Sequence, residues 1–219
     1  MPRYRVSFAK TDAMRFTGNL DVHRTWERMF RRAQLPLAYT EGFSPHPRLT
    51  LAAALPLGCL SEGDLIDAWL AEPTAPEAVL SALRLAAPPG LRVDSVVLVE
   101  DPEPSLPSQV VSAEFDVELD PLQGEPLATR CAALLAEDSL PRRRRGKTYD
   151  LRPLIEALAP SGSGPQLHMR LAAREGATGR PEEVMLAMGL DPARAVCTRK
   201  RLILHRGQVA VVNDESSHT

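Results

Sequence analysis

The chain has 219 residues, 44% of them hydrophobic and 25% charged, which is enough to bury an ordinary core as one large domain or two small ones. Its formal net charge is −2, and no apolar run approaches the roughly 20 residues that span a bilayer. The first residues alternate around Arg3 and Arg5 with no charged cap before an apolar block, so secretion and membrane insertion are both disfavoured, and the three cysteines, Cys59, Cys131 and Cys197, fit neither a disulfide framework nor CxxC metal spacing.

Residues 3–10 set Tyr4, Val6 and Phe8 against Arg5, Ser7 and Lys10, the period of a half-buried strand. Residues 19–34 place Val22, Trp26, Met29, Phe30 and Ala33 on one helical face, with Asn19 as the expected N-cap and Pro36 as the stop. The other face carries Arg24, Arg28, Arg31 and Arg32. Between this helix and the next apolar segment runs Glu41-Gly42-Phe43-Ser44-Pro45-His46-Pro47-Arg48, where two prolines hold His46 extended. Residues 49–57 and 64–71 read as two strands, 76–86 as a helix opened by proline, and 91–99 as a β-branched strand.

A proline-rich acidic connector, residues 101–109, follows, in which neither helix nor central strand is expected to persist. Beyond it the readings are a strand at 110–119, a helix at 125–137, a basic extended segment at 140–150, a short extra helix at 152–159, a strand at 166–174, a helix at 181–188 and a strand at 194–204. With the extra helix set aside, each half reads β-α-β-β-α-β. The expected fold is therefore α+β, with two tandem ferredoxin-like (βαββαβ) subdomains built on antiparallel sheets: residues 1–100, the 101–109 linker, residues 110–212, and a frayed tail at 213–219.

Charge is segregated along the chain. Residues 1–48 hold nine Lys/Arg against four Asp/Glu, residues 49–141 three against sixteen, and residues 142–219 fourteen against eight. Two outcomes follow from this. Either the basic segments form a surface that attracts polyanions, or they pair with the acidic middle.

Arg3-Tyr4-Arg5-Val6-Ser7-Phe8-Ala9-Lys10, Asn19-Leu20-Asp21, Arg28 with Arg31-Arg32-Ala33, Gly42-Phe43-Ser44-Pro45-His46-Pro47-Arg48, Leu55-Pro56-Leu57-Gly58 with Ser61-Glu62-Gly63, Arg145-Gly146-Lys147 and Asp150-Leu151-Arg152-Pro153-Leu154-Ile155 together resemble the radical-SAM-linked family. That family is an uncharacterised domain fused to, or encoded beside, a radical SAM protein. The resemblance covers most of the chain and implies a cytoplasmic bacterial protein that works with a radical SAM partner around RNA or ribosome-associated components. Radical SAM chemistry itself belongs to the partner, because a [4Fe–4S] cluster needs closely spaced cysteine thiolates. No cofactor or metal is expected here, since HExxH, DxDxDG, GxGxxG and P-loop spacings are all missing from the sequence.

The candidate RNA-binding residues are Arg24, Arg28, Arg31 and Arg32 on the helix, Arg142, Arg143, Arg144, Arg145 and Lys147 in the basic segment, and Arg199, Lys200 and Arg201 on the last strand. The guanidinium fork suits phosphate oxygens. With aromatics at only 5%, RNA contact is expected to be led by phosphates and not by base stacking. The favoured expectation is a non-catalytic accessory module. The first alternative is a metal-independent RNA-processing or RNA-modifying enzyme with His46 as acid/base and Arg48 as charge stabiliser, and the second a pure protein-interaction domain.

Overall fold

A computed structural model describes residues 1–100, 102–120, 126–144, 146–162 and 164–205. Its first strand, β1 (Arg3–Lys10), turns Tyr4, Val6 and Phe8 toward two helices, α1 (Asn19–Arg32) and α2 (Pro76–Ala86). Phe8 meets Trp26 edge-on at 5.0 Å between ring centroids, and Trp26 and Phe30 are wholly buried. Gly18 occupies the cap position of α1, one residue before the expected Asn19, and past the end of α1 the chain turns at Gln34, φ 56°, two residues ahead of Pro36.

The partners of β1 are β3 (Leu60–Trp69) and β4 (Leu91–Val99), both antiparallel, and β2 (Leu49–Leu51) pairs antiparallel with β3. The second half contributes β5 (Val110–Leu119), α4 (Leu127–Ala136), β8 (Ile155–Ser161), β9 (Gln166–Arg174), β10 (Ala177–Thr178), α5 (Pro181–Ala187) and β11 (Ala195–Leu204). Between α4 and β8 stand two further strands, β6 (Pro141–Arg144) and β7 (Lys147–Asp150), which pair only with each other as a hairpin. The remaining nine strands among the described residues form one sheet in the order β10-β9-β5-β11-β3-β1-β4, with β2 on β3 and β8 on β9.

The fold is thus mixed α+β around one large, mostly antiparallel sheet. Its single parallel seam joins the halves, where β11 lies beside β3 with Thr198 opposite Leu60 and Arg199 opposite Ser61. One core lies under α1 and α2. The other contains Phe115, Leu134, Met169, Met185 and Leu202, and also takes in Ala52, Cys59 and Leu65 from the first half, so the halves interlock.

Two sequence expectations are corrected. Residues 152–159 are not a helix: one 3₁₀ turn, Arg152–Leu154, leads into β8, whose backbone pairs with β9 from Ile155 to Ser161. Leu-Ile-Glu-Ala-Leu-Ala has good helix propensity, but an open sheet edge at β9 overrides a local preference of a few tenths of a kcal/mol, ~0.5 or less per residue. The connector is not structureless either. Leu106–Gln109 form a single helical turn, α3, with Leu106 fully buried, and the carbonyls of Glu103 and Pro104 accept hydrogen bonds from the Arg3 guanidinium, both at 3.0 Å.

Candidate nucleic-acid interface

The helix α1 buries Val22, Trp26, Met29 and Phe30, which forces Arg24, Arg28 and Arg31 outward. Arg24 sits 3.6 Å from Asp21 one turn earlier, an exposed pair of little energetic weight. Arg32 departs from the ridge, since its guanidinium donates to the carbonyl of Ala86 at the end of α2.

The hairpin β6–β7 sets Arg142 opposite Tyr149, Arg143 opposite Thr148, and Arg144 opposite Lys147. Alternation puts Arg142, Arg144, Lys147 and Tyr149 on one face, half-buried except for Lys147 at the exposed tip, and Arg143 and Thr148 on the exposed opposite face. Arg142 approaches Glu183 at 4.0 Å, and Tyr149 packs on the second core, where burial raises its phenol pKa. Arg145, in the turn, lies outside the described residues. Gly146 completes that turn at φ 79°, in the left-handed region where only glycine is unstrained.

The base of the hairpin is firmly held. The Asp150 carboxylate accepts the Leu140 amide at 2.7 Å and the Arg152 amide at 3.0 Å, and these bonds hold it below the ordinary aspartate pKa. Arg152 in turn donates to the carbonyls of Leu135 and Glu137 at the end of α4, at 3.0 and 3.2 Å. A charged tip therefore stands on a fixed stem.

The basic triplet of β11 has a different setting. Arg199 is buried: its Nε donates to Asp64 at 2.7 Å, and its two Nη atoms donate to the carbonyls of Ala53 and Ala54, each at 3.1 Å. Lys200 pairs with Glu62 and Arg201 with Glu114. Lys10 is also buried beside Asp64; desolvation lowers its pKa against the pull of that carboxylate. On the other side of β1, Arg3 and Arg5 both bond the fully buried Asp67. Here the acidic middle of the chain neutralises basic residues from both ends.

The prolines around His46 do produce an ordered turn. Thr40 and His46 exchange two hydrogen bonds, from the Thr40 amide to the His46 carbonyl at 2.9 Å and from the His46 amide to Thr40 Oγ1 at 3.0 Å. The His46 side chain is exposed, and Arg48 lies over the Trp69 ring at 4.8 Å, held as a cation–π contact. This turn joins the end of β3 at Trp69, whereas β11 joins its start, roughly 27 Å away along the strand. The structure therefore brings the β11 triplet to the seam and not to the histidine turn.

Between the halves, a cleft of about 410 Å³ is lined by Ala53, Phe115, Arg174, Arg180 and Arg199 among others. Separate stretches of chain supply it, so no local pattern announces it. Among the described residues, no three His, Cys, Asp or Glu side chains gather as metal ligands, and no helix is long and apolar enough to cross a membrane.

Residues 3–181 match a family described as "Uncharacterized protein conserved in bacteria (DUF2344)". The chain belongs to this family. The DUF2344 match takes in α1, the His46 turn and the basic hairpin, and stops at Pro181, the first residue of α5, before β11 begins. No functionally curated protein matches the chain. Among solved structures, an unknown protein from Galdieria sulphuraria is similar at 14% identity and a TM-score of 0.29, over 86% of this chain and 90% of that one.

Proposed function

We propose that this DUF2344 protein is a non-catalytic accessory module that grips RNA by its phosphate backbone through the β6–β7 hairpin, in the service of a radical SAM partner in the cytoplasm. The observation that carries the RNA reading is the cross-strand pair of Arg144 and Lys147 at the tip, with Arg143 exposed on the opposite face of the hairpin. Like charges placed directly opposite destabilise a hairpin, and a bridging phosphate converts that repulsion into charge-assisted hydrogen bonds. The stem tied down by Asp150, Arg152 and Tyr149 holds these cations in place before any ligand arrives.

Arg199, Lys200 and Arg201 drop out of this interface, because their charges are already committed to Asp64, Glu62 and Glu114. Arg24, Arg28 and Arg31 supply a second, weaker contact on the other half. The non-catalytic reading is preferred because Arg48 is stacked on Trp69 and the His46 ring has no side-chain partner among the described residues, so neither is arranged as one half of an acid/base pair. The radical SAM partner rests on the sequence resemblance alone. Each half is further read as a ferredoxin-like unit, on the ground that β4-β1-β3-β2 and β11-β5-β9-β8 repeat one strand order.

The test is fluorescence anisotropy with single-stranded RNA over a salt series. Binding is expected at low salt, and replacing Arg143, Arg144 and Lys147 together by alanine should flatten the slope of log K against log salt by about 2, near 0.7 for each phosphate no longer neutralised. An unchanged slope, or no binding at low salt, overturns the reading.

A further inference from the structure

Cys59 and Cys197 are separated by more than half of the chain, yet the parallel seam places them side by side. Thr198 faces Leu60 and Arg199 faces Ser61, so one step back along the same register Cys197 faces Cys59. Neighbouring strands lie about 4.8 Å apart, within the Cα separation of roughly 4.4–6.8 Å that a disulfide accepts. Both residues are buried free thiols, and each is the largest influence on the other's pKa. The third cysteine, Cys131, is on α4 and has no part in this contact.

We propose that Cys59 and Cys197 form a reversible disulfide that clamps the two halves of the molecule at their seam. The chemistry is set by the asymmetry of the pair. The neighbouring Cys197 side chain is the largest influence lowering the Cys59 pKa, with further help from Arg199 and Lys10, whereas the Cys197 thiol is pushed up by Cys59 and by burial. Cys59 is therefore the attacking thiolate. With hydrogen peroxide as the oxidant, Cys59 Sγ takes one peroxide oxygen to become a sulfenic acid, and the other oxygen leaves as water. Cys197 Sγ then displaces the sulfenic hydroxyl, which leaves as a second water with the Cys197 proton, and the sulfur–sulfur bond forms. Two thiols and one peroxide give one disulfide and two waters, and a dithiol reductant restores the starting state.

The clamp matters because the backbone pairing at the seam is short. Its backbone has two paired positions, against the long antiparallel ladders on either side, and side chains add to it, Arg199 reaching Asp64, Lys200 reaching Glu62 and Arg15 reaching the Ala195 carbonyl. A covalent link there closes a loop of more than a hundred residues and restricts the unfolded chain accordingly.

The full-length protein should be treated with hydrogen peroxide, alkylated under denaturing conditions, and mapped by mass spectrometry without reduction. The expected product is an intramolecular Cys59–Cys197 peptide pair that disappears with dithiothreitol, together with a rise in Tm of roughly 5–15 °C. Cys131→Ser should behave as the parent chain does, and Cys59→Ser should lose both signals. Alkylation of both Cys59 and Cys197 after oxidation, a link through Cys131, or an unchanged Tm in the linked protein overturns the proposal. The peptide map uses the parent chain, so the outcome does not depend on how well any variant folds.

Discussion

Arg142-Arg143-Arg144 on β6 and Arg199-Lys200-Arg201 on β11 are nearly the same chemistry on two strands, and the fold treats them in opposite ways. On β11 each cation meets a carboxylate from the acidic middle of the chain, whereas on β6 one arginine reaches Glu183 at 4.0 Å and another faces Lys147. The difference lies in the partner strand. β11 is inserted between β5 and β3, whose Glu114, Glu62 and Asp64 are within reach, while β6 pairs only with β7, whose sole carboxylate, Asp150, is occupied with the amides of the stem. A run of arginines is thus left largely without carboxylates or fastened into ion pairs depending on which strand the topology lays beside it.

This contrast can be broken at its strongest point first. Arg199→Ala leaves Asp64 buried without its guanidinium, and Asp64→Ala leaves Arg199 in the same position; each should cost about 3–5 kcal/mol in urea unfolding, with little change in RNA affinity for whatever remains folded. The reverse pattern is expected for the hairpin. Alanine at Arg143, Arg144 and Lys147 should weaken RNA binding by roughly 10–100-fold at low salt while changing unfolding free energy by no more than about 0.5 kcal/mol. If the hairpin variant unfolds early, or the Arg199 variant loses RNA binding selectively, the two strands have been assigned the wrong way round.

Smaller effects sharpen it. Arg28→Ala with Arg31→Ala should lower RNA affinity by only about two- to fivefold, measured by the same anisotropy titration, since each is a lone exposed charge. Arg201→Ala removes a pair whose arginine is nearly half exposed but leaves the mostly buried Glu114 without it, and should cost about 1–2 kcal/mol, less than Arg199 two residues earlier. Least of all, the Asp150 carboxylate stabilises the hairpin stem fully above the ordinary aspartate pKa, and that contribution is lost as pH falls through its own depressed value. A carboxyl NMR titration should place its midpoint below that of a free aspartate, and Asp150→Asn should remove the acid dependence of the Leu140 and Arg152 amide shifts.

Much of the fold is legible in the residues. The strands at 91–99, 110–119 and 166–174 and the helix at 76–86 occupy the stretches that their periodicity indicates, because burial on one face leaves a regular imprint. What periodicity leaves unstated is which edges meet. Residues 155–161 become a strand because β9 offers an edge, a fact stored in distant residues. The proposed interface is half legible: the exposure of Arg28, Arg31 and Arg143 follows from the periodicity of their own elements, but the pairing of Arg199 with Asp64 spans 135 positions and the stacking of Arg48 on Trp69 spans 21, and neither leaves a local trace. The same holds for Cys59 and Cys197, whose wide spacing argues against contact until β11 is laid beside β3.

The position of β11 within the sheet also bears on how the molecule is made. Synthesis runs from the N-terminus, so β1, β3, β4 and β2 can assemble on their helices while β11 is still untranslated, and the start of β3 has to wait with one backbone edge open. Only when β11 emerges can it slip between β5 and β3 and weld two nascent sheets into one. Continuity of the whole structure is therefore decided only after β11 has emerged, by ten residues that must find both neighbours at once.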